Sequence, residues 1–421
     1  MAEKKKPEII KGSEDVASIV ENTTIADIYR AAFFLDNVAI KTKLIESPYF
    51  SSICNNTVFL KPENLQVTGS FKLRGAYNRI SQLSDEERAK GVITASAGNH
   101  AQGVAFSAQK LGVKAVICMP ATTPILKVEA TRAYGAEIVL HGDTFDDAYA
   151  KSLELQKEKG YVYIHPFNDL NVLLGQGTTA KEIIDDCKDV DAILVPIGGG
   201  GFASGVALAA KLVNPHVKVI GVEPAGAACM KAAFKAGGVT TLPAVDTVAD
   251  GCAVKTAGSL TYAFCREYLD SIITVSEMEI MSALLSLIEK HKLVAEGAGV
   301  LSLAALPKLK MKNKKVVAIV SGGNIDISTI AALIDKALID RGRVFCFGVM
   351  LPDKPGQLLA VAQILADTHA NVIKLEHNQA GVTDSFKKVQ LEVTCETHGE
   401  DHIRTIISAL EKAGYDVSRV Y

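Results

Sequence analysis

Between Val92 and Pro224, short apolar runs alternate with amphipathic stretches, and this alternation restricts the fold more than any other feature of the chain. The runs are Gly91-Val-Ile-Thr-Ala, Lys114-Ala-Val-Ile-Cys-Met, Ala136-Glu-Ile-Val-Leu, Ala192-Ile-Leu-Val-Pro-Ile and Val217-Lys-Val-Ile-Gly-Val. Each is short and apolar on both faces, the texture of strands covered by helices on both sides, so βαβ units around a parallel sheet are expected. A further strand, Lys315-Val-Val-Ala-Ile-Val, runs into Ser321-Gly-Gly-Asn and brings the α/β region to a close near Asp340. The chain has 421 residues. At about 150 residues per domain this is enough for two or three domains and a sizeable core.

The texture changes after Arg343. Val344 to Leu351 reads as a strand, Pro355 to Ala370 as a helix and Asn371 to His377 as a strand; Phe386 to Glu396 alternates as a strand, Glu400 to Ala413 is helical, and Asp416 to Tyr421 ends in a short strand. This βαββαβ order predicts an antiparallel sheet with two helices on one face. The expected domains are therefore residues 1–340 and 344–421, with a short join near Ala337 to Arg343.

Charge narrows the class of partner. A formal net charge of −2, with 22% charged and 48% hydrophobic residues, gives no electrostatic reason to expect nucleic acid or an anionic membrane, so small-molecule chemistry is the better expectation. The start, Met1 to Pro7, is basic, but no apolar stretch follows before Asp15 and Glu21, so it reads as a solvated tail. No segment approaches the roughly 20 apolar residues of a membrane span. The eight cysteines are scattered without a CxxC pair, which predicts reduced thiols in a cytoplasm, buried as small hydrophobes, and no zinc site.

Four stretches carry chemistry. In Thr68-Gly-Ser-Phe-Lys-Leu-Arg-Gly-Ala, Lys72 follows an apolar residue and a turn; a lysine forms a Schiff base only where the fold fixes its amine and suppresses its charge, and read alone it is a surface lysine. Thr94-Ala-Ser-Ala-Gly-Asn-His-Ala-Gln-Gly follows a strand and opens a helix, a seat for a carboxylate or phosphate, or an ordinary turn capped by Asn99. In Val195-Pro-Ile-Gly-Gly-Gly-Gly-Phe-Ala-Ser-Gly, four glycines at a strand-to-helix junction let backbone wrap an anion. Gly198, Gly200 and Ala203 also satisfy a dinucleotide fingerprint, with Glu223 at a suitable distance, but that reading leaves the other stretches unexplained. Ser321-Gly-Gly-Asn ends the last parallel strand, where ligands of open α/β sheets collect. Ser321 is either a cap or a donor to a ring nitrogen.

Together the four stretches resemble the fold-type II pyridoxal-phosphate enzymes, most closely the threonine dehydratases (threonine ammonia-lyases), over essentially the whole chain. The resemblance implies an α/β catalytic body of two parallel-sheet subdomains, the smaller (about 61–165) inserted in the larger, followed by a βαββαβ ACT-like domain. It implies pyridoxal 5′-phosphate held as a Schiff base on Lys72, with Phe71 packed against the ring and Asn99 on the ring hydroxyl. It further implies Gly198, Gly199, Gly200, Gly201 and Phe202 at the phosphate and Ser321 at the pyridine nitrogen. Ser96, Ala97, Gly98 and His100 would hold the substrate carboxylate.

The implied reaction is dehydration and deamination of L-threonine to 2-oxobutanoate and ammonia, with L-serine giving pyruvate. Lys72 would take the α-proton and the cofactor phosphate would protonate the leaving hydroxyl. A hydroxyl at the pyridine nitrogen cannot hold it as a stable cation, which favours loss of a β-substituent over transamination. Similar serine racemases carry a second acid/base, a serine, where this chain has Ala97; an alanine moves no proton, so racemisation is disfavoured. Their divalent-cation pattern is met by Glu223 and the Ala227 backbone, but Cys229 replaces a carboxylate, so no metal is assigned.

Leu351-Pro-Asp-Lys-Pro-Gly-Gln-Leu with Ala370-Asn-Val is the part that resembles an ACT domain. An amino-acid effector, isoleucine inhibition within isoleucine biosynthesis, and a homodimer or homotetramer are the matching expectations. The alternatives are a module that only joins subunits and a catabolic serine/threonine dehydratase. Others are a fold-type II enzyme using a sulfur nucleophile and a non-catalytic amino-acid sensor.

Overall fold

The computed structural model describes residues 14–378 and 388–421. The basic start and positions 386 and 387 of the expected strand lie outside them. Two compact units are present, residues 1–325 and 326–421.

The first unit contains two sheets. The larger has six strands in the order Ile45–Glu46, Thr57–Pro62, Lys315–Val320, Ala192–Pro196, Lys218–Pro224 and Ser271–Val275, parallel throughout except for the antiparallel first edge strand. The smaller has four parallel strands in the order Glu137–Leu140, Ala115–Met119, Val92–Ala95 and Val162–Tyr163. The runs read as doubly covered strands are so: Ala192–Pro196, Ala115–Met119 and Val92–Ala95 are buried at every position. Glu137–Leu140, an edge strand, is exposed at both ends.

Three strands of the large sheet escaped the sequence pattern: Ile45–Glu46, only two residues long, and two others for a physical reason. Thr57–Pro62 carries Lys61, a charge that reads as surface; here it is fully buried and donates to Glu182 at 2.6 Å and to the Thr42 carbonyl at 2.6 Å. Ser271–Val275 is half-polar because it is the opposite edge. All the strands of the small sheet lie in sequence between Thr57–Pro62 and Ala192–Pro196 of the large one. The central pairing joins residues distant in sequence, Lys315–Val320 beside Thr57–Pro62. That pairing positions the site.

In the second unit, four antiparallel strands take the order Asn371–Asn378, Lys388–Glu396, Val344–Pro352, Val417–Arg419. The helices Gln357–Asp367 and Glu400–Lys412 supply Val361, Leu365, Ile403, Ile406 and Leu410 to a core with Phe345 and Phe347. The order is βαββαβ, an ACT-like sheet. The division into units falls at Ile325, ahead of the join expected near Ala337 to Arg343, because the helix Ile327–Asp340 packs against Val344–Pro352.

Candidate active site

Just beyond the ends of the two paired strands, the backbone closes a short strap. Ser70 bridges Gly322, the Phe71 N–H donates to the Ser321 carbonyl (3.2 Å), and the Gly323 N–H donates to the Gly69 carbonyl (2.9 Å). Gly69 has φ +70°, and a Cβ there would stand 2.4 Å from Asn324 Oδ1, so this turn requires glycine. The strap delivers Lys72 as the first residue of the helix Lys72–Ser81, a position that disfavours a cation. Its amine is largely buried and donates to the Pro166 carbonyl at 2.9 Å. Burial lowers its pKa to about 8, against the opposing pull of Cys252 and Glu296. The suppressed charge that Schiff-base chemistry needs is thus built in.

Two residues on, Arg74 anchors the same helix. It is fully buried and forks onto Glu63 (2.8 and 2.9 Å) and onto Glu182 (2.7 and 2.9 Å), while Lys61 also reaches Glu182. Two cations and two carboxylates balance without an unpaired charge, the condition under which buried ions are tolerated. Sequence reasoning missed this group. The signal available was an arginine two positions from the key lysine.

The glycine loop lies against the segment that accepts from Lys72. Phe167, next to Pro166, fills the space beside Gly199 and Gly201: a Cβ on Gly199 would stand 2.5 Å from the phenyl ring, and one on Gly201 2.8 Å from Phe167 Cα. Gly200 has φ +97°, and Thr261 Oγ1 donates to the Gly199 carbonyl at 2.6 Å. The loop runs directly into the helix Gly201–Val213, whose first N–H groups have no carbonyl one turn earlier to bond. An anion is the natural partner. Phe71 and Phe202 stack with centroids 3.8 Å apart, so the aromatic before the lysine faces another ring of the site. His165 fixes the Pro166 segment by accepting the N–H groups of Phe167 (3.2 Å) and Asn168 (2.8 Å) at Nδ1. Burial lowers its pKa to about 4, which keeps that nitrogen an acceptor.

Ser96, Ala97 and Gly98 form the turn between Val92–Ala95 and the helix Asn99–Leu111. All three are partly open to solvent, and the space where a Gly98 Cβ would be holds nothing within 4 Å. The His100 ring is turned away: Nε2 sits 2.9 Å from the Ile164 carbonyl and burial drops its pKa to about 3. Its Nδ1 is buried without a hydrogen-bond partner, and its backbone N–H lies in the first turn of the helix, where it can serve a ligand. Ser321, buried at the end of Lys315–Val320, makes a long 3.3 Å bond from Oγ to the Ala298 carbonyl. Asn99 donates to Glu296 (2.7 Å) and accepts from Asn324 (2.8 Å). Glu296 and Asn324 were not legible as site residues. Glu223 is engaged elsewhere, accepting the Met230 and Lys231 N–H groups at 2.8 and 2.9 Å, with burial raising its pKa to about 7.

These features fit pyridoxal 5′-phosphate. Among the described residues the largely buried amine has a single, neutral acceptor, the cradle has no room for side chains, and the loosely bonded serine hydroxyl can turn to a ring nitrogen. A family model described as pyridoxal-phosphate dependent enzyme matches residues 35–322. The L-threonine ammonia-lyase of Thermotoga maritima is 45% identical over 397 residues, covering 94% of this chain and 98% of the relative. The catabolic L-threonine dehydratase of Escherichia coli is 47% identical over 313 residues, covering 73% of this chain and 95% of the relative. The processed form of threonine deaminase isoform 2 from Solanum lycopersicum matches with a TM-score of 0.72 at 40% identity, covering 80% of this chain and 99% of that one. A family match spanning the body that carries Lys72, joined to whole-length relatives, means that the chain belongs to the fold-type II pyridoxal-phosphate dependent enzymes.

Proposed function

We propose that the chain dehydrates and deaminates L-threonine to 2-oxobutanoate and ammonia, and L-serine to pyruvate. The observation that carries this reading is the Lys72 amine, largely buried and lowered to about 8, held against the Pro166 segment that also packs the glycine loop. Lys72 would hold the cofactor covalently, the Gly198–Gly201 backbone with Phe202 would hold its phosphate, Phe71 would pack by the ring, Asn99 would serve the ring oxygen and Ser321 the ring nitrogen. Bound there, the cofactor supplies an electron sink for charge developing at the substrate α-carbon. Ser96, Gly98 and the His100 N–H bind the substrate carboxylate at the open turn, with Ala97 alongside. Lys72 Nζ would take the substrate α-proton; a base lowered toward neutrality is poised for this. Ala97 offers no proton at the second face, which supports elimination over racemisation.

The ACT-like unit supports a regulatory role, with an amino-acid effector, within isoleucine biosynthesis. The catabolic Escherichia coli relative aligns with 73% of this chain. A homodimer or homotetramer in the cytoplasm accords with this reading, as does the finding that, among the described residues, no helix is long and apolar enough to cross a membrane. The test is product analysis with L-threonine and L-serine, each with and without isoleucine. 2-Oxobutanoate and ammonia in equal amounts, slowed by isoleucine, are expected. Release of neither oxoacid would overturn the catalytic reading; a rate and thermal midpoint indifferent to saturating isoleucine would overturn the effector.

A further inference from the structure

Glu296 has no part in the steps above, yet it is a carboxylate inside the site. It follows the helix Glu277–His291 in a turn whose backbone is tied to the strap, the Glu296 N–H donating to the Gly322 carbonyl at 3.0 Å. Its Oε1 would lie 2.5 Å from a Cβ on Gly322, so the side chain lies directly against the glycine beside Ser321. Among the described residues its side chain accepts one hydrogen bond, from Asn99 Nδ2 at 2.7 Å. On the other side of Asn99, Oδ1 accepts from Asn324 Nδ2 (2.8 Å), and that same nitrogen donates to the Thr68 carbonyl (2.7 Å). A backbone carbonyl only accepts, so Asn324 must present its NH2 group there and is a donor to Asn99. An ionised carboxylate also only accepts. The Asn99 amide is therefore held between a fixed donor and a fixed acceptor and cannot flip, which leaves one Nδ2–H for a further acceptor.

We propose that Glu296 is a positioning residue that locks the Asn99 amide with its N–H group directed to the oxygen on the cofactor ring. The inference rests on the reading of Asn99 given under the proposed function. The charged groups around Glu296 are the Lys72 amine, Lys127 and Asp250, with the Cys252 thiol also close to Lys72. Burial raises the Glu296 pKa to about 7 and the bond from Asn99 opposes that rise. Protonation would make the carboxyl a potential donor and remove the reason for Asn99 to keep its orientation.

Three variants test this, read by the dissociation constant for pyridoxal phosphate, the visible absorbance band of the loaded protein and the thermal midpoint of the cofactor-free protein. Glu296→Ala should weaken cofactor binding about tenfold or more, the worth of a charge-assisted hydrogen bond, and alter the band. Glu296→Gln keeps an acceptor oxygen for Asn99 and should restore affinity to within about threefold of the parent, about 0.6 kcal/mol. Asn99→Ala should be at least as defective as Glu296→Ala, and the double variant no worse than Asn99→Ala alone. Parent-like affinity and absorbance in Glu296→Ala overturn the proposal while leaving Asn99 in place if Asn99→Ala is defective. A Glu296→Gln protein as poor as Glu296→Ala, with the same midpoint, also overturns it. Parent-like binding by Asn99→Ala would remove the ring-oxygen reading itself and the Glu296 proposal with it.

Discussion

Two glycine-bearing loops flank Lys72, and they are built in opposite ways. Around Gly198–Gly201 each position is enclosed: a Cβ at Gly199 would meet the Phe167 ring at 2.5 Å and one at Gly200 would meet Met230 at 2.5 Å. Around Gly98 a Cβ would meet nothing within 4 Å. Both loops begin a helix at the end of a parallel strand, so the local physics of an anion seat is the same. The difference lies in packing. An enclosed backbone shaped by Phe167 suits an occupant that stays, whereas an open turn suits one that enters and leaves with each turnover.

The largest way to break this comparison is to remove the residue both loops serve. Lys72→Ala should keep the fold, since among the described residues its side chain makes one hydrogen bond, to the Pro166 carbonyl, but lose elimination by about a thousandfold or more. Near-parent turnover in a folded protein would place the covalent attachment elsewhere. Next in size is a matched pair of methyl groups. Gly199→Ala forces Phe167 out of place and should cost about 2 kcal/mol of stability along with most cofactor binding. Gly98→Ala has room for its methyl and should change the thermal midpoint little while raising KM about three- to tenfold. Equal losses of cofactor in the two variants would erase the distinction between the loops.

A smaller effect is expected from pH. His100 and His165 hold pKa values of about 3 and about 4, lowered by burial from the ordinary histidine value of 6.5. Below about pH 6.5 the unfolded chain takes up protons that the folded one refuses, so both residues support the fold above that pH and the support is lost as pH falls toward 4. Each contributes a slope of up to about 1.4 kcal/mol per pH unit in that window. Denaturant unfolding of the cofactor-free protein at pH 7, 6 and 5 would check this. His165→Gln should flatten part of the acid slope, because it removes one of the two titrating rings.

Much of this architecture could be read in the sequence, since strands apolar on both faces announce a doubly covered parallel sheet and most loops that bind ligand follow such strands. The βαββαβ order was visible for the same reason, each element having a clear period. What could not be read was whatever depends on the pairing of distant strand ends. Glu296 stands in Ala-Glu-Gly-Ala-Gly and looks like a surface carboxylate; only the closure of Ser70 against Gly322 buries it beside Asn99. Lys61 and Arg74 look solvated until Glu63 and Glu182 neutralise them. The Pro166–Asn168 segment has no periodicity at all, and its importance comes from Phe167 occupying the space the glycines leave.

The central claim is that the amine of Lys72 carries the cofactor. Borohydride reduction of the purified yellow protein, followed by peptide mapping, tests it most directly. The account predicts loss of the visible band together with a phosphopyridoxyl mass on the peptide containing Gly69-Ser-Phe-Lys72. The same mass on another lysine, or a protein with no visible band to reduce after incubation with pyridoxal phosphate, would contradict it.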